Sequence, residues 1–222
     1  MAGAGTDKTK RWVVQPGPVV ILVEPQLGEN IGSAARAMAN FGLSRLRLVK
    51  PREEWPNPQA KKMASGADRI LDEAVLYDSV EAAIADCTLV LATTARAHDQ
   101  AKPVIDAAGA ATTMAAPVVA GETVGILFGR ERSGLENEEV ALADYILTLP
   151  VNPAFASLNL AQAVLLLGYE WGREALPAQP APRLRIPHGE TPATRLEIEK
   201  PVLVAWKPTP EAAHAVKRSV SL

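Results

Sequence analysis

VVILV (Val19–Val23), followed at once by EPQLGENIGSAAR (Glu24–Arg36), decides the fold class. The first five residues are apolar and mostly β-branched, with no polar alternation, as in a strand buried on both faces. Ile31, Ala34, Ala35, Met38 and Phe41 then recur at helical spacing, with Asn30 placed to cap the helix and Gly42 just beyond its end. The same alternation repeats along the chain. Further strands are expected at Leu46–Val49, Thr88–Ala92, Val124–Phe128 and Tyr145–Leu149. Helices are expected around Gln59–Ser65, Val80–Ala85, Val104–Met114, Glu136–Leu142 and Leu158–Glu174. Strands alternating with helices predict an α/β fold, a parallel sheet with helices on both faces.

Outward from that core the chain changes character. Residues 1–18 form a polar N-terminal arm ending in Lys8, Lys10 and Arg11, and residues 19–176 form the domain. Beyond it Pro177, Pro180, Pro182, Pro187 and Pro192 mark residues 177–222 as a Pro-rich linker and a weakly ordered extension.

Composition removes several function classes. The 222 residues carry a formal charge of -2, so bulk cationic attraction cannot hold nucleic acid, although a local basic patch remains compatible. Cys87 is the single cysteine, which excludes a disulfide framework and fits a reducing cytoplasm; at a strand start it reads as a small buried hydrophobe rather than a nucleophile. His98, His188 and His214 are scattered, so no metal site is expected. No apolar run reaches the roughly 20 residues of a membrane span, and no membrane partner is expected. The phosphate-loop ending, the GxGxxG fingerprint and the GxSxG elbow are all absent.

What remains is a set of loops at the carboxyl ends of strands, where parallel sheets bind ligands. NIGSAAR (Asn30–Arg36) opens the first helix; a helix start favours phosphate, and Arg36 offers a planar donor fork at an angle compatible with the same ligand. The plainer reading is a cap and a solvated arginine. FGRERSGL (Phe128–Leu135) follows a buried strand with charge, where Glu131 either serves a site or makes a structural ion pair. NPAFASLNL (Asn152–Leu160) is a Pro-restricted loop from which Ser157 or Asn159 opens a long apolar helix, and Ser157 as an ordinary N-cap is the simpler account of it. TTAR (Thr93–Arg96) lets backbone approach a ligand.

The ordered set of these segments resembles motifs 1, 2 and 3 of the SpoU/TrmH (SPOUT) RNA methyltransferases, from about Val19 to about Trp171, with TTAR and GRER most similar to the TrmJ branch. That resemblance implies a C-terminal deep trefoil knot, rare among folds, and an obligate homodimer. It implies S-adenosyl-L-methionine (SAM) as methyl donor, held by Thr93, Thr94, Ala95, Gly129, Leu149, Ala156, Ser157 and Leu158. It places Asn30, Arg36, Glu131, Ser157 and Asn159 at catalytic or substrate-side positions. The implied reaction is methyl transfer to a ribose 2′-hydroxyl of tRNA, at nucleotide 32 of the anticodon loop, in the cytoplasm. The alternatives are a catalytically weak RNA-binding member and an enzyme acting on rRNA. Helical C-terminal segments that help relatives of this branch grip tRNA have no counterpart in the Pro-rich tail.

Overall fold

The computed structural model describes residues 14–94 and 102–175. The expectations for residues 1–13, Ala95, Arg96, the three histidines and the Pro-rich tail lie outside the described residues. Seven parallel strands form one sheet in the order β3-β2-β1-β6-β4-β7-β5. In chain order they are β1 (Val19–Val23), β2 (Leu46–Val49), β3 (Val75–Tyr77), β4 (Leu89–Thr93), β5 (Val104–Ile105), β6 (Val124–Phe128) and β7 (Tyr145–Leu147). The helices are α1 (Gly28–Asn40), α2 (Pro58–Ala64), α3 (Asp68–Asp72), α4 (Val80–Ile84), α5 (Ala107–Val119), α6 (Asn137–Ala141) and α7 (Leu160–Ala175), with a 3₁₀ turn at Pro153–Phe155.

The strand pleat divides the core in two. Val20 and Leu22 of β1 face one layer with α1, α2, α3, α5 and α7, whereas Val19, Ile21 and Val23 face the other with α4 and α6. Every residue of β1 and β6 is buried, which accounts for their unbroken apolar sequences. α1 lies close to α2 because Gly32 has no side chain; a Cβ there would meet the Ala60 carbonyl oxygen at 2.0 Å.

Three local expectations need correction. Val104 and Ile105 are a short strand paired with β7, and the helix after them starts at Ala107, where the Asp106 carboxylate accepts the Gly109 N–H at 2.7 Å. Asn30 is not the cap of α1: the helix begins at Gly28, and Asn30 lies in its first turn. α7 begins at Leu160, and the side chain that accepts from its first N–H groups is Asn159, not Ser157. The strand β3 and the helix α3 had no clear sequence signal.

Arg47 is the one buried charged residue among those described, 7% exposed within β2. It donates two hydrogen bonds to Asp86, at 2.5 and 2.7 Å, one more to the Ala83 carbonyl, and lies over the Tyr77 ring. The half-buried Cys87 beside it has its thiol pushed up by burial, which agrees with an inert cysteine. Among the described residues no helix is long and apolar enough to cross a membrane, and no group of His, Cys, Asp and Glu could hold a metal ion.

Candidate active site

Strand order brings four distant segments together. β1, β6 and β4 are consecutive in the middle of the sheet and β7 follows, so the segments after their carboxyl ends share one edge. There a cavity of ≈ 300 Å³ opens. It is lined by Thr93 and Thr94 at the end of β4, by Gly129 and Glu131 after β6, and by Leu149, Ala156, Ser157 and Leu158 after β7. Of the residues expected around a cofactor, Ala95 alone lies outside the described segment.

The loop after β6 is shaped by its glycines. Arg130 and Gly134 exchange backbone hydrogen bonds of 3.2 and 2.8 Å, and Gly134 takes a φ of 72° to close the turn. The returning chain passes so close to Gly129 that a Cβ would be 2.2 Å from the Gly134 carbonyl carbon and 2.3 Å from the Leu135 nitrogen.

Side chains from the three motifs then join in one relay. Glu131 accepts the Gln26 backbone N–H at 2.8 Å through one carboxylate oxygen and the Asn30 Nδ2–H at 2.7 Å through the other. Asn30 Oδ1 accepts the Asn159 Nδ2–H at 2.9 Å. Asn159 Oδ1 in turn accepts the Ala161 N–H at 2.9 Å. Both amide orientations follow from this chain, and among the described residues each amide retains one N–H without an acceptor. Among the described residues Glu131 is therefore an acceptor for hydrogen bonds rather than half of an ion pair, and it ties the loop after β6 to the segment after β1 and, through Asn30, to the loop after β7.

Arg36 stands apart. It is exposed on α1, makes no hydrogen bond or ion pair among the described residues, and does not line the cavity. At ~100° per residue it points about 120° away from Asn30 around the helix axis. Asn30 and Arg36 of a single chain do not face one ligand.

The role of Arg130 was not legible in the sequence. Its guanidinium, 10% exposed, donates to Glu24 at 2.9 Å and to both oxygens of Glu139 at 3.0 Å. These bonds tie the loop after β6 to the loop after β1 and to α6. Hydrogen bonding to Glu24 raises the arginine further above its ordinary range, and the same bond holds the Glu24 carboxyl below the ordinary carboxylate value. A lowered folded-state pKa stabilises the fold above the unfolded value, and that contribution disappears as pH falls through the lowered one. We expect Arg130→Met to cost about 1–3 kcal/mol at neutral pH. The difference from wild type should shrink on acidification below about pH 4.5. Urea midpoints across that range provide the check; an equal difference at every pH would mean that Glu24 is not the partner that matters. Asp86, lowered chiefly by its hydrogen bond from Arg47, keeps its own acid response in both proteins.

An α/β protein with a cleft at the carboxyl edge of its parallel sheet, and with a relay of acid and amide groups starting from that cleft's wall, is the class that fold and site define. The chain belongs to the SpoU rRNA Methylase family, whose model matches residues 17–169. It is 44% identical over 163 residues to the tRNA (cytidine/uridine/adenosine-2′-O-)-methyltransferase TrmJ of Pseudomonas aeruginosa, an alignment covering 73% of this chain and 63% of that protein. The crystal structure of TrmJ from Z. mobilis ZM4 is similar with a TM-score of 0.67 and 52% identity, covering 82% of this chain and 75% of the other. A structure described as giving insights into 2-OH methylation of C/U34 on tRNA is similar with a TM-score of 0.58 and 27% identity, covering 72% and 97%. The chain thus spans just under two thirds of the length of the Pseudomonas relative.

Proposed function

We propose that this chain is a SAM-dependent methyltransferase acting on a ribose 2′-hydroxyl of tRNA, with nucleotide 32 of the anticodon loop as its target. The observation that carries this reading is the relay from Glu131 through Asn30 to Asn159, which starts in the wall of a cavity lined by residues that the motif resemblance assigns to the methyl donor. The similarity to TrmJ proteins, named as tRNA 2′-O-methyltransferases, supports the substrate class.

The cavity suits the donor in shape and chemistry. Its volume is at the lower end of small-molecule clefts, and its walls combine Leu149 and Leu158 with the backbone around Thr94 and Gly129. Bound SAM supplies a methyl group on a sulfonium, open to in-line displacement. The N–H groups of Asn30 and Asn159 that the relay leaves over would hold ribose or phosphate oxygens of the substrate. Arg36 orients the ribose and its phosphate and stabilises developing alkoxide; a guanidinium with pKa above ~12 is a poor proton acceptor. Ser157, at the cavity wall, holds the ribose.

The position of Arg36 supports a two-chain site in a homodimer, with the arginine supplied by the partner. α7 supports the same assembly: Leu165, Leu166 and Tyr169 are 40%, 41% and 50% exposed along its outer side. We also assign to this chain the family's trefoil knot, formed where α7 follows the loop after β7, and a cytoplasmic site of action. The test is direct. Incubation with SAM and unmodified tRNA should give a 2′-O-methylated nucleoside on nuclease digestion and mass spectrometry, mapping to the anticodon loop. Binding of SAM without methylation of any tRNA would overturn the reading.

A further inference from the structure

Phe155 is 77% exposed and makes no ring contact among the described residues. Its backbone, by contrast, is held firmly. Pro153 starts the 3₁₀ turn, the Asn152 side chain accepts the Ala154 N–H at 3.0 Å, and the Asn152 carbonyl accepts the Phe155 N–H at 2.8 Å. A phenyl ring kept in water on a rigid turn is a feature the fold does not require, since truncating it would leave no cavity. The next three residues, Ala156, Ser157 and Leu158, line the cleft.

Methylation of a ribose hydroxyl in an anticodon loop brings the sugar to that cleft, and the base of an unpaired loop nucleotide is free to splay out of the stack with it. A base turned out of the stack has two bare faces, and single-stranded RNA is commonly received on aromatic side chains. We propose that Phe155 is the platform on which the base of the target nucleotide stacks. This inference rests on the RNA-methylating reading given above. It adds a specificity consequence. Stacking engages the π-face that every base possesses, so a phenyl platform fixes the sugar without reading the base, and cytidine and uridine are accepted alike.

The experiment compares wild type with Phe155→Ala, Phe155→Leu and Phe155→Tyr on a tRNA transcript and on the same transcript with an abasic ribose at the target nucleotide. On the intact transcript, Ala and Leu should raise KM for tRNA about tenfold and Tyr should stay near wild type, with SAM affinity unchanged throughout. Removal of the base should cost the wild type a similar factor and cost Phe155→Ala nothing further, the non-additivity expected of two groups in contact. Full activity in Phe155→Leu would overturn stacking and leave only an apolar contact. Additive losses, or dissociation of the dimer by Phe155→Ala on sedimentation, would overturn it as well. Absence of methylation by the wild type would instead defeat the underlying functional reading, and this inference with it.

Discussion

Arg36→Ala should lower the rate of methyl transfer about 10²–10³-fold while SAM affinity stays within about twofold of wild type. The guanidinium is exposed, has no partner among the described residues and is absent from the cavity wall of its own chain, so its removal disturbs neither fold nor cofactor. Lysine should rescue poorly, because a point charge cannot hold ribose and phosphate oxygens with a planar fork. Near-normal turnover of Arg36→Lys would refute that role. The two-chain site has its own check in mixed dimers. Arg36→Ala and Ser157→Ala proteins should each be inactive. Refolded together at equal amounts, half of the dimers are mixed, and each mixed dimer holds one intact site if the arginine acts across the two-fold axis. Activity should then return to about a quarter of wild type. No recovery, with mixed dimers shown to form, would place Arg36 and Ser157 in one chain's site.

Gly129→Ala should have the second large effect, on the cofactor rather than on the chemistry. The new methyl would lie 2.2 Å from the Gly134 carbonyl carbon, against backbone that the Arg130–Gly134 bridge holds in place. Overpacking of this kind costs about 1–3 kcal/mol and displaces the cavity wall, so SAM should bind about 10–100-fold more weakly by calorimetry. Gly121→Ala is the control for lost stability. Gly121, unlike Gly129, has a positive φ, 82°, with nothing within 4 Å of a new Cβ, and it lies before β6, at the opposite end of that strand. It should lose stability through backbone strain alone and keep its SAM affinity. Equal loss of affinity in both proteins would show that Gly129 acts through global stability.

The central strands were legible because burial on both faces forces a continuous apolar run, as in Val19–Val23 and Val124–Phe128. The edges were not. In β3, Val75 and Leu76 are both 49% exposed, so no contrast between faces marks a strand three residues long. β5 precedes an alanine-rich helix, and Val104–Ile105 reads as part of that helical pattern, whereas the Asp106 cap sets the helix start at Ala107. The motifs named candidate residues but not their bonding. Asn30 reads locally as a cap because its amide competes for backbone N–H groups; its actual partners, Glu131 and Asn159, are 101 and 129 residues away. The network around Arg130 was hidden for the same reason, since Glu24 is 106 residues distant.

The amide relay also has a bearing on how the protein ages. Hydrolysis of either asparagine to aspartate exchanges an NH₂ group for oxygen, a change of about one mass unit that shape alone would not detect. At position 30 it would set a second carboxylate against Glu131, where a 2.7 Å hydrogen bond now stands, and two anions in contact repel. The usual route to such damage is attack on the side-chain amide by the nitrogen of the following residue. In α1 that nitrogen belongs to Ile31, and its N–H is already committed to the Leu27 carbonyl at 3.3 Å. The helix that positions Asn30 for the relay therefore also shields it from slow chemical decay.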